Sequence, residues 1–285
     1  MVKPARVLRH RFRRIVRPDF DCQSECKHHE VSPPGELFTT EYVTMGNVTA
    51  HYNRDYIDQK FAELLQDDAL HQLRSQCAAR TYFGDLTESS ARVLEYGCGI
   101  GQSIASLPQA VGFDVNFEAL QECRRHGVAV TDRPEDIPRN YFDRVLCRHV
   151  LEHVENPLAT LRELLAYLAP GGQLVLVLPK EPHGRVSLKP DINRHLFSWN
   201  FRCINNLVHA AGGKPITNEY HPMFGPRSDY FLRPLYRWAG LAAYYHTGRL
   251  VGRILNQFEM VIRVTRCEET GSPGVTGAGR TQETN

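Results

Sequence analysis

Long apolar runs are missing from this chain of 285 residues, and no stretch approaches the roughly 20 residues needed to cross a bilayer. The N-terminus lacks the apolar core of a secretory leader, so export is not expected. Acidic residues are absent from 1–17, which carry Lys3, Arg6, Arg9, Arg11, Arg13, Arg14 and Arg17. Serine is absent there too, which sets the arm apart from an organelle transit peptide. Such an arm can lie on an anionic membrane or nucleic acid, or stay a solvated terminus; the net charge of +2 makes no general case for nucleic acid. The eight cysteines are scattered, and Cys98 and Cys147 lie inside apolar segments, which suits a reducing, cytoplasmic setting better than a disulfide framework. Cys22, Cys26, His28 and His29 are close enough in sequence to hold zinc, but no second ligand pair is near to close a tetrahedron, so no metal is expected.

What is present centres on Val93–Gln102, Val-Leu-Glu-Tyr-Gly-Cys-Gly-Ile-Gly-Gln. It reads as the end of a buried strand, an acid (Glu95), then Gly97, Gly99 and Gly101, with a small-residue helix expected from Gln102. Glycines at a strand-to-helix turn let backbone approach a ligand closely. A dinucleotide fingerprint would need glycine where Gln102 stands. Ala110–Val115 is a second strand with Asp114 at its end, seventeen residues past Gly97. A carboxylate there can accept hydrogen bonds from both hydroxyls of a ribose; it can also cap the helix expected over Phe117–His126, as Asn116 can. The ribose role is preferred because of the glycines upstream.

Gly127–Thr131 is a third strand, followed by Asp132 and Arg133. Phe142–Cys147 is a fourth, running through Arg148 into His149-Val-Leu-Glu152-His153-Val and Asn156-Pro157. Asn156 can cap the next helix with Pro157 in its first turn, its apolar face being Leu158, Leu161, Leu164, Leu165 and Leu168. Leu174–Leu178 is a fully apolar fifth strand, as a sheet covered on both faces requires. Further on, Ser198 is expected to cap a helix carrying Phe201, Ile204, Leu207 and Val208, and Ile216–Tyr220 and Phe258–Val264 are the last strands.

Glu95-x-Gly97-x-Gly99-x-Gly101 resembles the first motif of the class I S-adenosylmethionine-dependent methyltransferases. Phe-Asp-x-Val followed by His-Val-Leu-Glu-His-Val and Asn-Pro is similar to the fourth-strand segment of their small-molecule, type 11-like branch, and His195-Leu-Phe-Ser-Trp199 resembles a later segment of it. The resemblance covers Ala91–Pro179 well and Lys180–Val264 loosely. It implies a doubly wound α/β fold with a mostly parallel seven-stranded sheet, and a domain over 91–267. Before that domain, which carries a helical insertion over 226–255, come a poorly structured basic arm (1–53) and a helical cover (54–90), and after it a disordered tail (268–285).

The resemblance further implies S-adenosyl-L-methionine as cofactor, held by Glu95, Tyr96, Gly97, Cys98, Gly99, Gly101, Asp114, Val115, Asp132, Arg133 and Arg148. Methylating oxygen or nitrogen requires a base of near-neutral pKa; His149 is the first candidate, with His153 and His195 behind it and His183 also on the expected pocket side. Glu152 either orients a histidine or is solvated. The acceptor is expected to be a small molecule, a glycan or a lipid-linked intermediate. The alternatives are a nucleic-acid or protein substrate, which only the basic arm favours because the Asn/Asp-Pro-Pro-Tyr/Phe motif is absent, and a cofactor-binding module without catalysis. Tyr230–Leu255 mixes apolar residues and arginines, as a membrane-surface element does; a helical cover or an oligomer contact would look similar. The oligomeric state is left open by these patterns.

Overall fold

The computed structural model describes residues 54–84, 90–181, 193, 195–223 and 226–267, with backbone alone over 226–231. The chain divides into two compact units, Met1–Thr44 and Met45–Asn285, and every described residue belongs to the second. The readings made for the basic arm, for Cys22, Cys26, His28 and His29, for His183 and for the tail lie outside the described residues.

Seven strands form one sheet: β1 (Val93–Tyr96), β2 (Ala110–Phe113), β3 (Ala129–Thr131), β4 (Phe142–Arg148), β5 (Leu168–Pro179), β6 (Gly213–Pro222) and β7 (Phe258–Arg266), in the order β3-β2-β1-β4-β5-β7-β6. The first five pair in parallel, while β7 runs antiparallel between β5 and β6. The doubly wound, mostly parallel α/β fold expected from the sequence is therefore the fold observed. Strand order reverses between β1 and β4, which opens a crevice beyond their carboxyl ends, where ligands of such sheets sit. Six helices accompany the sheet: α1 (Arg54–Leu65), α2 (Asp68–Phe83), α3 (Phe117–Arg125), α4 (Pro157–Tyr167), α5 (Phe201–Ala210) and α6 (Pro226–Ile254). None of the helices among the described residues is long and apolar enough to cross a membrane.

Apolar spacing and caps account for most of these boundaries. Both faces of β5 are covered, and Leu174, Val175, Leu176, Val177 and Leu178 are fully buried, so an unbroken apolar run replaces alternation. Asn156 accepts the Ala159 amide at 3.0 Å and Pro157 opens α4, while Leu161, Leu164 and Leu165 turn inward. Asn116 caps α3 by accepting the Ala119 amide at 3.1 Å. Three local expectations change. The helical cover expected before the sheet is two helices, α1 and α2, because Asp67 is extended and caps α2 through the Leu70 amide. Asn200 rather than Ser198 caps α5, accepting from the Cys203 amide at 3.0 Å. The helix expected from Gln102 is only a succession of turns, in which the Ile104 and Ala105 amides both donate to the Gly101 carbonyl.

Candidate active site

The turn after β1 is shaped by contacts that leave no room for side chains. Gly97, Gly99 and Gly101 all have positive φ, at 79°, 52° and 76°. A Cβ on Gly97 would lie 2.2 Å from Val150 Cγ2, in the segment that follows β4. Gly97→Ala combines that overlap with a left-handed backbone and is expected to cost about 3 kcal/mol. The variant should show a clearly lower Tm by circular dichroism; a Tm equal to that of the parent would show that the turn relaxes freely.

Asp114 sits at the end of β2 and ties the loops together. One carboxylate oxygen accepts the Gly99 amide at 2.8 Å and the other accepts the Asn116 amide at 2.9 Å. Burial raises its pKa, while these hydrogen bonds pull it down. Its place in the fold is thus that of an anchor between the glycine turn and the start of α3, whose side-chain cap is Asn116. From α1, Tyr56 feels the charge of Asp114, Ile57 packs with Ile100 and Ala119, and Phe61 Cζ lies 3.8 Å from where a Gly99 Cβ would be. From α2, His71 Nε2 meets the Ile100 carbonyl at 2.9 Å. Both helices therefore pack directly against the glycine turn.

Glu95 is 2% exposed on β1, and its Oε2 has no hydrogen-bond partner among the described residues. Burial pushes its pKa up to about 8, against the opposing pull of the nearby Ser103 hydroxyl and Arg148 charge. An acid kept neutral in this way is poised to ionise when a cation arrives.

Residues expected to line the same pocket are placed variously. Tyr96 packs its ring on Phe113 at 4.6 Å, and Val115 is exposed just after β2. Cys98 is buried with its sulfur 3.8 Å from Cys123, so only its backbone faces the turn. Asp132 and Arg133 are exposed at the end of β3, with Arg133 paired to Glu135 at 3.0 Å. Arg148 directs its guanidinium elsewhere: Nε donates to the Tyr82 hydroxyl at 3.0 Å and another nitrogen is 3.8 Å from Glu259.

The three histidines converge around one buried acid. Glu152 is fully buried, which rules out the solvated alternative, and its Oε1 lies 3.3 Å from His149 Nδ1 and 3.9 Å from His153 Nε2. His149 has a positive φ of 54°, rare for a side chain of this size. Its other ring nitrogen lies 3.5 Å from Glu259 on β7. Burial lowers the His149 pKa, but Glu152 and Glu259 outweigh burial and raise it, so the imidazolium is favoured. Glu259 in turn is held down at about 2 despite its burial, by His149, by the Arg148 charge and by Tyr82, whose hydroxyl donates to it at 2.5 Å.

His195 joins this group through His153 and adds a second acid: its ring lies edge-on to His153 at 4.9 Å, and Nδ1 is 2.5 Å from Glu181 Oε1. The donor atoms of Glu152, His153 and His195 lie within 4.8 Å of one another. The edge of a tetrahedral zinc site is about 3.4 Å, so this trio would have to draw together to hold a metal.

Three residues around these histidines were not singled out from the sequence. Tyr82 carries no signal within its helix. Glu181 lies just beyond β5, outside any motif. Glu259 had one available sign, as an acid inside the otherwise apolar segment Phe258–Val264.

A family model for the methyltransferase domain matches residues 65–217, more than half of the chain. The chain belongs to the class I S-adenosylmethionine-dependent methyltransferases. Among curated relatives of this methyltransferase, the ubiquinone biosynthesis O-methyltransferase of Xanthomonas axonopodis pv. citri is 36% identical over 105 residues, which is 32% of this chain and 44% of that protein. The corresponding enzyme of Xanthomonas euvesicatoria pv. vesicatoria is 36% identical over 102 residues, 31% and 43% of the two chains. The methyltransferase thus spans less than half the length of the curated relatives it matches. Solved structures that resemble it include magnesium protoporphyrin IX methyltransferase from Synechocystis PCC 6803, with 14% identity, 78% and 96% coverage and a TM-score of 0.49. Another is a Burkholderia thailandensis 1,6-didemethyltoxoflavin-N1-methyltransferase, with 18% identity, 84% and 94% coverage and a TM-score of 0.48.

The residues present fit the family's cofactor. The glycine turn gives close backbone approach, Asp114 offers acceptor lone pairs at the end of β2, and the unpartnered Glu95 oxygen suits an ammonium group.

Proposed function

We propose that this methyltransferase transfers a methyl group from S-adenosylmethionine to a hydroxyl of a small-molecule or lipid-linked acceptor, with His195 as general base and Glu181 as its orienting acid. The observation that carries this reading is the His195–Glu181 contact of 2.5 Å, with Glu181 just past the carboxyl end of β5 and His195 beside His153, which follows β4. Bound S-adenosylmethionine supplies an electrophilic methyl on a sulfonium, which departs as a neutral thioether. On the protein side, Asp114 holds the ribose hydroxyls, Glu95 the ammonium, and α1 and α2 wall the turn from water. Nδ1 of His195 faces Glu181, which orients the ring, and the imidazole would take the proton that the acceptor hydroxyl loses on methylation. His149 is given a different part, because each of its ring nitrogens already faces a carboxylate. It holds Glu152 and Glu259 in place as an imidazolium. No described feature calls for a polyanionic acceptor, and the small-molecule reading is in keeping with the relatives' names.

Calorimetric titration with S-adenosylhomocysteine and with NADH tests the cofactor assignment. Micromolar binding of S-adenosylhomocysteine alone is expected, weakened about 100-fold in Asp114→Ala, which loses two charge-assisted hydrogen bonds. Failure of S-adenosylhomocysteine to bind the folded protein would remove the assignment. With binding in hand, turnover of hydroxylated aromatic and lipid-linked acceptors decides the substrate class.

A further inference from the structure

The 29-residue helix α6 is inserted between β6 and β7, where the outer edge of this kind of sheet needs only a turn. Because β6 runs parallel to β5, its carboxyl end lies on the same edge as the crevice, and α6 starts from that edge. Its inner side is well packed: Tyr244 and Tyr245 are buried with Leu73 and Cys77 of α2, joined by Leu232 and Leu241. Arg233 pairs with Asp67, and a Cβ on Gly252 would lie 2.5 Å from the Met223 carbonyl. Gly240, with φ 77° and ψ −176°, divides the helix into two arms.

The outer side is unlike the rest of the surface. Trp238 is 90% exposed and Ile254 73%, with Leu250 and Leu255 more than half exposed as well. Residues 232–257 contain Arg233, Arg237, Arg249, Arg253 and His246, and no aspartate or glutamate. In the C-terminal arm, Ala242, His246, Arg249, Leu250, Arg253 and Ile254 share one helical face, as the spacing of three and four requires. An open cleft on that face is lined by Tyr245, His246, Arg249, Leu250 and Arg253. Arginines in excess over acids, set beside large exposed apolar side chains, are the pattern of a helix lying in a bilayer interface rather than of a protein contact, which would bring acids into the rim.

We infer that the outer face of α6 docks this methyltransferase onto an anionic phospholipid bilayer, with Trp238, Leu250, Ile254 and Leu255 entering the interface and Arg237 and Arg253 meeting phosphodiester headgroups. The inference rests on the proposed function only in that it turns the crevice edge toward the membrane, and so supplies acceptors with a long apolar tail. The same charge pattern distinguishes it from a dimer contact, since two copies of this face would repel each other.

The test uses the full chain and vesicles of phosphatidylcholine alone or mixed equally with phosphatidylglycerol. Flotation with the mixed vesicles only is expected, together with a blue shift in the emission of Trp238. Arg237→Gln with Arg253→Gln should weaken partitioning about 30-fold, and Trp238→Ser with Ile254→Ser should weaken it at least 10-fold, with S-adenosylhomocysteine affinity unchanged in both. Two results would overturn the inference: absence of flotation on either lipid, or flotation that the α6 variants keep and deletion of Met1–Arg17 removes. Since cofactor affinity is read in the same samples, failure of the docking surface and failure of the methyltransferase reading are told apart.

Discussion

Replacing His195 with glutamine is expected to lower kcat by about 100- to 10,000-fold while leaving S-adenosylhomocysteine affinity within about twofold. The side chain volume is nearly kept and His195 touches none of the groups assigned to the cofactor, so the loss should fall on proton transfer. Two companion variants make the assignment specific. Glu181→Gln removes the carboxylate that orients the His195 ring, so kcat should fall while S-adenosylhomocysteine affinity is unchanged. His149→Asn keeps a residue type that tolerates the observed φ of 54°, and it should retain much of the turnover that His195→Gln abolishes. Should His149→Asn abolish turnover and His195→Gln preserve it, the base would be His149, and the roles proposed for the two residues would exchange.

Glu95→Gln is expected to stabilise the empty protein while damaging its function. The sign follows from burial. With its folded pKa raised to about 8 from an ordinary 4.5, Glu95 holds a proton in the native state that the unfolded chain has lost. Its contribution to stability therefore declines as pH rises through that window, and above pH 8 the cost is complete, on the order of 4 kcal/mol. Glutamine avoids ionisation altogether, so the variant should melt at a similar temperature to the parent near pH 5 and several degrees higher near pH 8. Binding should show the reverse. An arriving ammonium stabilises the carboxylate, so at pH 7 the parent should release up to one proton on binding S-adenosylhomocysteine, seen as a calorimetric enthalpy that depends on the buffer. Glu95→Gln should lose that dependence and bind about 100-fold more weakly at pH 8. A variant that binds as tightly as the parent, with the same buffer dependence, would show that Glu95 is only an anchor of the loop.

The buried group formed by Tyr82, Arg148, His149, Glu152 and Glu259 explains why these two acids behave so differently. Glu259 lies beside Arg148 and His149, so attraction overcomes desolvation, while Glu95 is reached by Arg148 only at a distance, and desolvation wins. The network spans α2, β4 and β7, so the helix that packs on the glycine turn is tied electrostatically to the last strand of the sheet.

The amino-acid sequence by itself determined the sheet and its ligand edge. Local patterns carry that information: short apolar stretches in β1 and β4, an unbroken apolar run in β5, asparagines at the starts of α3 and α4, and glycines where the backbone must turn with positive φ. The positions of Glu95 and Asp114 were legible for the same reason, since Glu95 is the next-to-last residue of β1 and Asp114 directly follows β2. Only the tertiary structure decided which histidine has which surroundings. His149, His153 and His195 look alike as residues, and what separates them is a carboxylate brought from β7 to the first and another from beyond β5 to the third. Those partners lie 110 and 14 residues away in the chain. Propensity and spacing report on neighbours within a turn or a strand, whereas a pKa is set by whatever charge folding brings within a few ångströms. The same limit applied to α6: its composition announced an amphipathic helix, but which arginines and apolar groups face outward depended on how Tyr244 and Tyr245 pack against α2.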